Sequence, residues 1–175
     1  MKRRFLLLLL ALSALTFATQ AVRAQNAHGN HDTYLFVVGG PPVEGPDVST
    51  APDGSTVTIS GNGSFTAGPD KTATGGGTYT IKDAAGTIVA AGSWTVVSIL
   101  GFVDYGTDPS APPTFHGGEA QLRISLSGIG EGVLTVECLV STPPPAGKDE
   151  GIRLVLGQGL NFNKSMSGET IFIKP

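Results

Sequence analysis

Cysteine occurs once in the 175 residues, at Cys138, so no disulfide within the chain can staple the fold and stability must come from a packed core. Charge is also sparse, at 14% of residues, and aromatics make up 7% with a single Trp. Three His and one Cys are too few for an ordinary zinc set, and neither His-Glu-x-x-His nor Cys-x-x-Cys occurs. No serine lies in a Gly-x-Ser-x-Gly elbow, which removes the best-marked hydrolase signature. Gly75-Gly76-Gly77 lacks the Lys-Ser/Thr ending of a phosphate loop, and calcium loops of the Asp-x-Asp-x-Asp-Gly kind are missing. No cofactor and no metal is therefore expected. Asn26-Ala27-His28 would form a copper clip only if it began the chain, and it reads more simply as part of a leader.

Long hydrophobic runs are missing too, with one exception at the amino terminus. Lys2, Arg3 and Arg4 precede the hydrocarbon run Phe5 to Leu12, and Val22-Arg23-Ala24 supplies small residues before Gln25. This pattern predicts a cleaved signal peptide over residues 1–24, followed by a leader over 25–32 and one β domain over 33–175. The expected location is outside the cytoplasm, extracellular or periplasmic, and no membrane span is expected in the mature chain.

Removing Lys2, Arg3, Arg4 and Arg23 leaves seven basic against 14 acidic side chains, a net charge of −7. The survivors are scattered, so a nucleic-acid partner is excluded on charge. An extracellular ligand remains: a sugar, a small apolar molecule or a protein.

What the chain has in quantity is 25 Gly and 12 Pro, with short runs of Val, Ile, Thr, Leu and aromatics between them. Many of these runs alternate with period two and none shows a helical stripe, which predicts an all-β fold. Eight to ten antiparallel strands without a covering helix must close as a barrel or stack as a sandwich. Glu119 to Leu126 is the clearest run, with Ala120, Leu122, Ile124 and Leu126 on the core face. Leu134, Val136, Cys138 and Val140 continue the pattern after a glycine-rich turn. Matching faces requires paired numbers with an even sum, and one allowed register sets Leu122 opposite Cys138 and Arg123 opposite Glu137 on the wet face.

Elsewhere, Asn62-Gly63 predicts a hairpin turn between Ser55–Ser60 and Ser64–Ala67. Asp83 to Gly86 predicts a second turn. In Ile88 to Val103 the apolar phase passes from Trp94 and Val96 to Val97 and Ile99, which predicts a bulge. Three loops stand out, Gly39–Gly54, Asp104–Gly118 and Ser141–Glu150.

The loop around 104–118 holds the candidate ligand-binding residues. Asp104, Tyr105, Phe115 and His116 would combine a ring face, a carboxylate and an imidazole, a set suited to a sugar or an apolar ligand. The expected function is binding or extracellular interaction, without catalysis. The alternatives are a small barrel enzyme (a cyclase, isomerase or hydrolase) using His116 and nearby acids, and a barrel that carries an apolar ligand.

Overall fold

The β-branched and aromatic runs become strands throughout residues 31–157 and 159–175, the part of the chain that the computed structural model describes. The expected signal peptide, the Asn26-Ala27-His28 segment and residues 25–30 of the leader lie outside the described residues. No helix occurs among the described residues.

Eleven strands form in chain order: β1 (Thr33–Val38), β2 (Asp47–Thr50), β3 (Thr56–Thr66), β4 (Thr72–Lys82), β5 (Ile88–Gly106) and β6 (Phe115–Leu126). They continue as β7 (Gly130–Cys138), β8 (Gly151–Leu156), β9 (Asn161–Phe162), β10 (Lys164–Ser167) and β11 (Thr170–Ile173). All pairings are antiparallel. One circuit runs β3, β4, β5, β6, β11, β1 and back to β3, so the sheet closes into a ring. A second arm leaves β6 through β7 and β8 to β9, and β10, one residue further along, pairs with β2, which returns to β3. Closure removes sheet edges that would otherwise need protection.

The interior is filled by side chains. Phe36, Val57, Ile59, Phe65, Trp94, Leu122, Ile124, Leu134, Leu154 and Phe172 are all buried in one continuous cluster. Trp94 lies inward, and its indole Nε1 donates to the Ser60 carbonyl at 3.1 Å. Cys138 is buried in the same cluster, and burial pushes its thiol up to about 12, so it behaves as a small apolar filler.

Several local expectations change. Asn62-Gly63 makes no turn: β3 runs straight through it, and the reversal comes at residues 67–71. Gly63 is not in the left-handed region; its missing side chain serves packing instead. A Cβ there would lie 2.7 Å from Phe36 Cε1, and one on Gly61 would lie 2.6 Å from Trp94 Cζ2. Bare backbone on β3, facing Gly75 to Gly77 on β4, gives those two rings their space. The Asp83 turn forms as expected, with Oδ1 accepting the Ala85 and Thr87 amides at 3.0 and 2.8 Å and Gly86 at φ +85°.

The β6–β7 register is slid by four residues from the one chosen above. Leu122 faces Leu134, not Cys138, and Ser125 faces Glu131. Gly128 at φ +77° and Gly130 at φ +119° let the chain reverse in three residues, which closes the hairpin early. Arg123 therefore meets Glu131, at 3.9 Å, and not Glu137. The phase change in β5 is real but involves three irregularities, between Val96 and Ser98, Ile99 and Gly101, and Asp104 and Gly106. Ile99 is buried, whereas Val97 sits in the first irregularity and faces solvent. Of the three expected loops, Gly39–Gly54 contains β2, and both ends of Asp104–Gly118 belong to β5 and β6, which leaves residues 107–114 as the connection.

Candidate functional site

The close of β5 and the start of β6 bring two of the four candidate residues together. Asp104 and His116 lie across the strand pair, with His116 Nδ1 3.2 Å from both carboxylate oxygens. Two further donors complete the carboxylate: the Tyr34 hydroxyl reaches Oδ2 at 2.8 Å and the Gly106 amide reaches Oδ1 at 2.7 Å. Burial alone would raise the Asp104 carboxyl, but the Gly106 amide, the Tyr34 hydroxyl and His116 together hold it below the usual carboxylate range. Tyr34 is raised well above the ordinary phenol value, first by burial and then by the Asp104 carboxylate it bonds.

Rings seal this end of the molecule. Tyr34 stacks on Phe65 at 5.4 Å and meets Phe102 at 4.6 Å, and Phe102 meets Phe172 at 5.1 Å. His116 packs edge-on against Tyr34 at 5.7 Å, and Lys174 Nζ lies 5.7 Å from the centroid of the Tyr34 ring while pairing with Asp32 at 2.7 Å. With Nδ1–H donating to Asp104, the imidazole presents Nε2 as its acceptor. No hydroxyl or thiol nucleophile hydrogen-bonds His116 among the described residues, so the pair lacks the third member of a nucleophilic triad.

Tyr105 and Phe115 go elsewhere. The Tyr105 hydroxyl donates to Glu137 Oε1 at 3.0 Å, inside a charged patch on the outer wall. There Arg153 and Lys148 pair with Glu137, and Lys148 also pairs with Glu119. That cover buries Glu137, which the alternation had put in water. Phe115 pairs in register with Ile173 and borders a shallow groove with Pro42, Val43, Leu139, Val140 and Ile171. Among the described residues no group of three His, Cys, Asp or Glu is placed to hold a metal ion.

The opposite end of the ring is open and apolar. Ile81 and Leu156, the last inward residues of their strands, form the floor of a cleft of about 410 Å³. Val89, Ala90, Ile129 and Leu160 form its walls, and Glu131 and Gly157 its polar margin. Val89, on the wall of this cleft, is 60% exposed. The available signal in the sequence was apolar residues at turn positions, Ile129 within Gly128-Ile-Gly130 and Leu160 after Gly159. Neither Asp104 nor His116 lines this cleft.

No protein-family model, curated protein or solved structure matches the chain.

Proposed function

We propose that the protein is an exported, non-catalytic binding protein that takes a small, mainly apolar molecule at the open end of its ring. The observation that carries this reading is the cleft bounded by Ile81, Val89, Ala90, Ile129, Leu156 and Leu160. Its volume of about 410 Å³ lies in the range of small-molecule sites. The apolar surface around it returns roughly 25 cal/mol for each Å² that a ligand covers. Glu131, held only loosely by Arg123 at 3.9 Å, gives one polar contact at the margin. Export is supported by the basic start, the apolar run from Phe5 and the small residues before Gln25.

The neutral dye Nile red tests the site. Saturable fluorescence enhancement with the purified protein, abolished by Val89→Asp, is the expected result; equal binding by that variant overturns the assignment. Amino-terminal sequencing of the exported product tests the rest. A start near Gln25 agrees with export, and a retained Met1 contradicts it.

A second reading, a small cyclase, isomerase or hydrolase, is favoured by the Asp104–His116 pair. A carboxylate on Nδ1 orients the imidazole as a base. It would place the substrate at the aromatic end, and a substrate-like molecule contacting His116 is its distinguishing mark.

A further inference from the structure

A third corner of the fold, away from both ends, holds an anomaly. Asp47 opens β2 with its side chain turned inward; the residue is fully buried, and neither carboxylate oxygen has a hydrogen-bond partner. It lies against glycines: a Cβ on Gly168, at φ +102°, would be 2.0 Å from Asp47 Oδ1, and one on Gly151, at φ +105°, would be 3.7 Å from it. The nearby Gly39 amide favours the charged form, but its hydrogen is committed to the Glu169 carbonyl at 3.2 Å.

The ionisable groups around Asp47 are all acids. Glu150 precedes β8 and Glu169 precedes β11, and both raise the cost of charge on Asp47. Glu44, on the loop before β2, donates its amide to Glu169 Oε2 at 3.4 Å, and the Cys138 thiol at the end of β7 feels Glu150 and Glu169 as well. Ser165 on β10 is the neighbour from that strand, and its hydroxyl donates to the Glu150 carbonyl at 2.6 Å. Ile59, the β3 partner of Asp47, is apolar. Among the described residues no lysine, arginine or histidine forms an ion pair with Asp47, Glu150 or Glu169.

Glu150 differs from Asp47 in having donors. Its Oε2 accepts the Leu139 amide at 2.6 Å and Oε1 accepts the Thr170 amide at 3.0 Å, while the Thr170 hydroxyl lies 2.8 Å from Oε1 and 2.6 Å from the Glu137 carbonyl, with one hydrogen to share between them. Burial raises the Glu150 carboxyl, but the Leu139 and Thr170 amides favour its charged form, whereas Asp47 has no hydrogen-bond donor to offset its burial.

We propose that Asp47 holds a proton in the folded protein and that this corner is a pH-sensitive clasp. It keeps β2 closed against the start of β8 and the turn at Gly168, and it loosens when the proton leaves. Burial, followed by the charges of Glu150 and Glu169, pushes the Asp47 carboxyl up to about 8 from an ordinary 3.8. A folded value above the unfolded one means that the proton's contribution is fully present below about pH 4 and is lost as pH rises through about 8.

Thermal unfolding of the purified protein between pH 5 and 9 tests this. The melting temperature should fall by at least about 5 °C toward pH 9. Asp47→Asn, which mimics the neutral acid, should exceed the wild type by a small margin at pH 5 and by a larger one at pH 9, with a flatter profile. A flat wild-type profile, or an Asp47→Asn profile that falls in parallel with it, overturns the proposal. Glu169→Gln offers a second route: with one like charge removed, Asp47 gives up its proton more easily, so the fall should shrink and end at lower pH, and an unmoved fall also overturns the proposal. Millimolar calcium chloride at pH 9 should change nothing. If it restores the wild type but not Asp47→Asn, the corner is a cation site and the proton clasp is wrong.

Discussion

The two ends of the ring solve the same problem in opposite ways. Each must cap a column of inward side chains where the strands stop hydrogen-bonding. At one end Tyr34, Phe65, Phe102 and Phe172 close over the core, and the polar groups above them, Asp104, His116 and the Tyr34 hydroxyl, satisfy one another. At the other end Ile81 and Leu156 are left as the floor of a cleft whose walls are apolar and whose rim is exposed. Hydrogen bonds made internally leave little to offer a ligand, whereas uncovered apolar surface gains from being covered. The difference supports the proposal that the sealed end is structural and that the open end is where a ligand binds.

Removing a sealing ring should have the largest effect. Phe65 is buried and touches Tyr34, Phe36, Phe102 and Phe172, so Phe65→Ala should cost about 3–5 kcal/mol in denaturant unfolding. A cost below about 1 kcal/mol would break the description of this end as packed. Tyr34→Phe keeps the ring and deletes only the hydroxyl, which leaves Asp104 short of one donor, and about 1–2 kcal/mol should be lost.

Asp104 also gives a pH signature opposite to that of Asp47. Its folded carboxyl lies below its ordinary value, so its contribution is present above about pH 4 and is lost as pH falls into the acid range. Asp104→Asn should therefore flatten the acid limb of the stability profile while leaving the alkaline limb unchanged. Unaltered acid sensitivity in this variant would show that the Tyr34–Asp104–His116 contacts contribute nothing net.

The smallest effect on stability should come from the open end. Val89 is 60% exposed, so Val89→Asp should change unfolding free energy by no more than about 0.5 kcal/mol while removing Nile red binding. A large loss of stability would mean that Val89 belongs to the core rather than to a binding rim.

How far the sequence discloses this contrast depends on the range of the interactions. Alternation in Glu119 to Leu126 marks its core face because a strand's two faces are written in neighbouring residues. The Asp83 turn is equally local. Asn62-Gly63 has the composition of a turn, yet its glycine is needed for Phe36, a residue on another strand, and nothing local distinguishes the two uses. The β6–β7 register depends on which glycines of the turn adopt positive φ, and alternation fixes only the face.

The sites were harder to read for the same reason. Asp104 and His116 are near in sequence and their contact was accessible, but Tyr34, 70 residues away from Asp104, was not. Glu137 sits in phase with outward residues, and only Tyr105, Lys148 and Arg153 arriving from other segments bury it. The open cleft draws on β4, β5, β8 and two turns, each contributing one or two ordinary apolar residues. Such a site exists only after the ring has closed.

The most direct test of the contrast is a backbone amide NMR titration of the purified protein with Nile red. Shifts concentrated at Ile81, Val89, Ala90, Ile129, Leu156 and Leu160, with Tyr34, Asp104 and His116 unmoved, are the predicted result. Shifts centred on Tyr34, Asp104 and His116, with the open end silent, would contradict it.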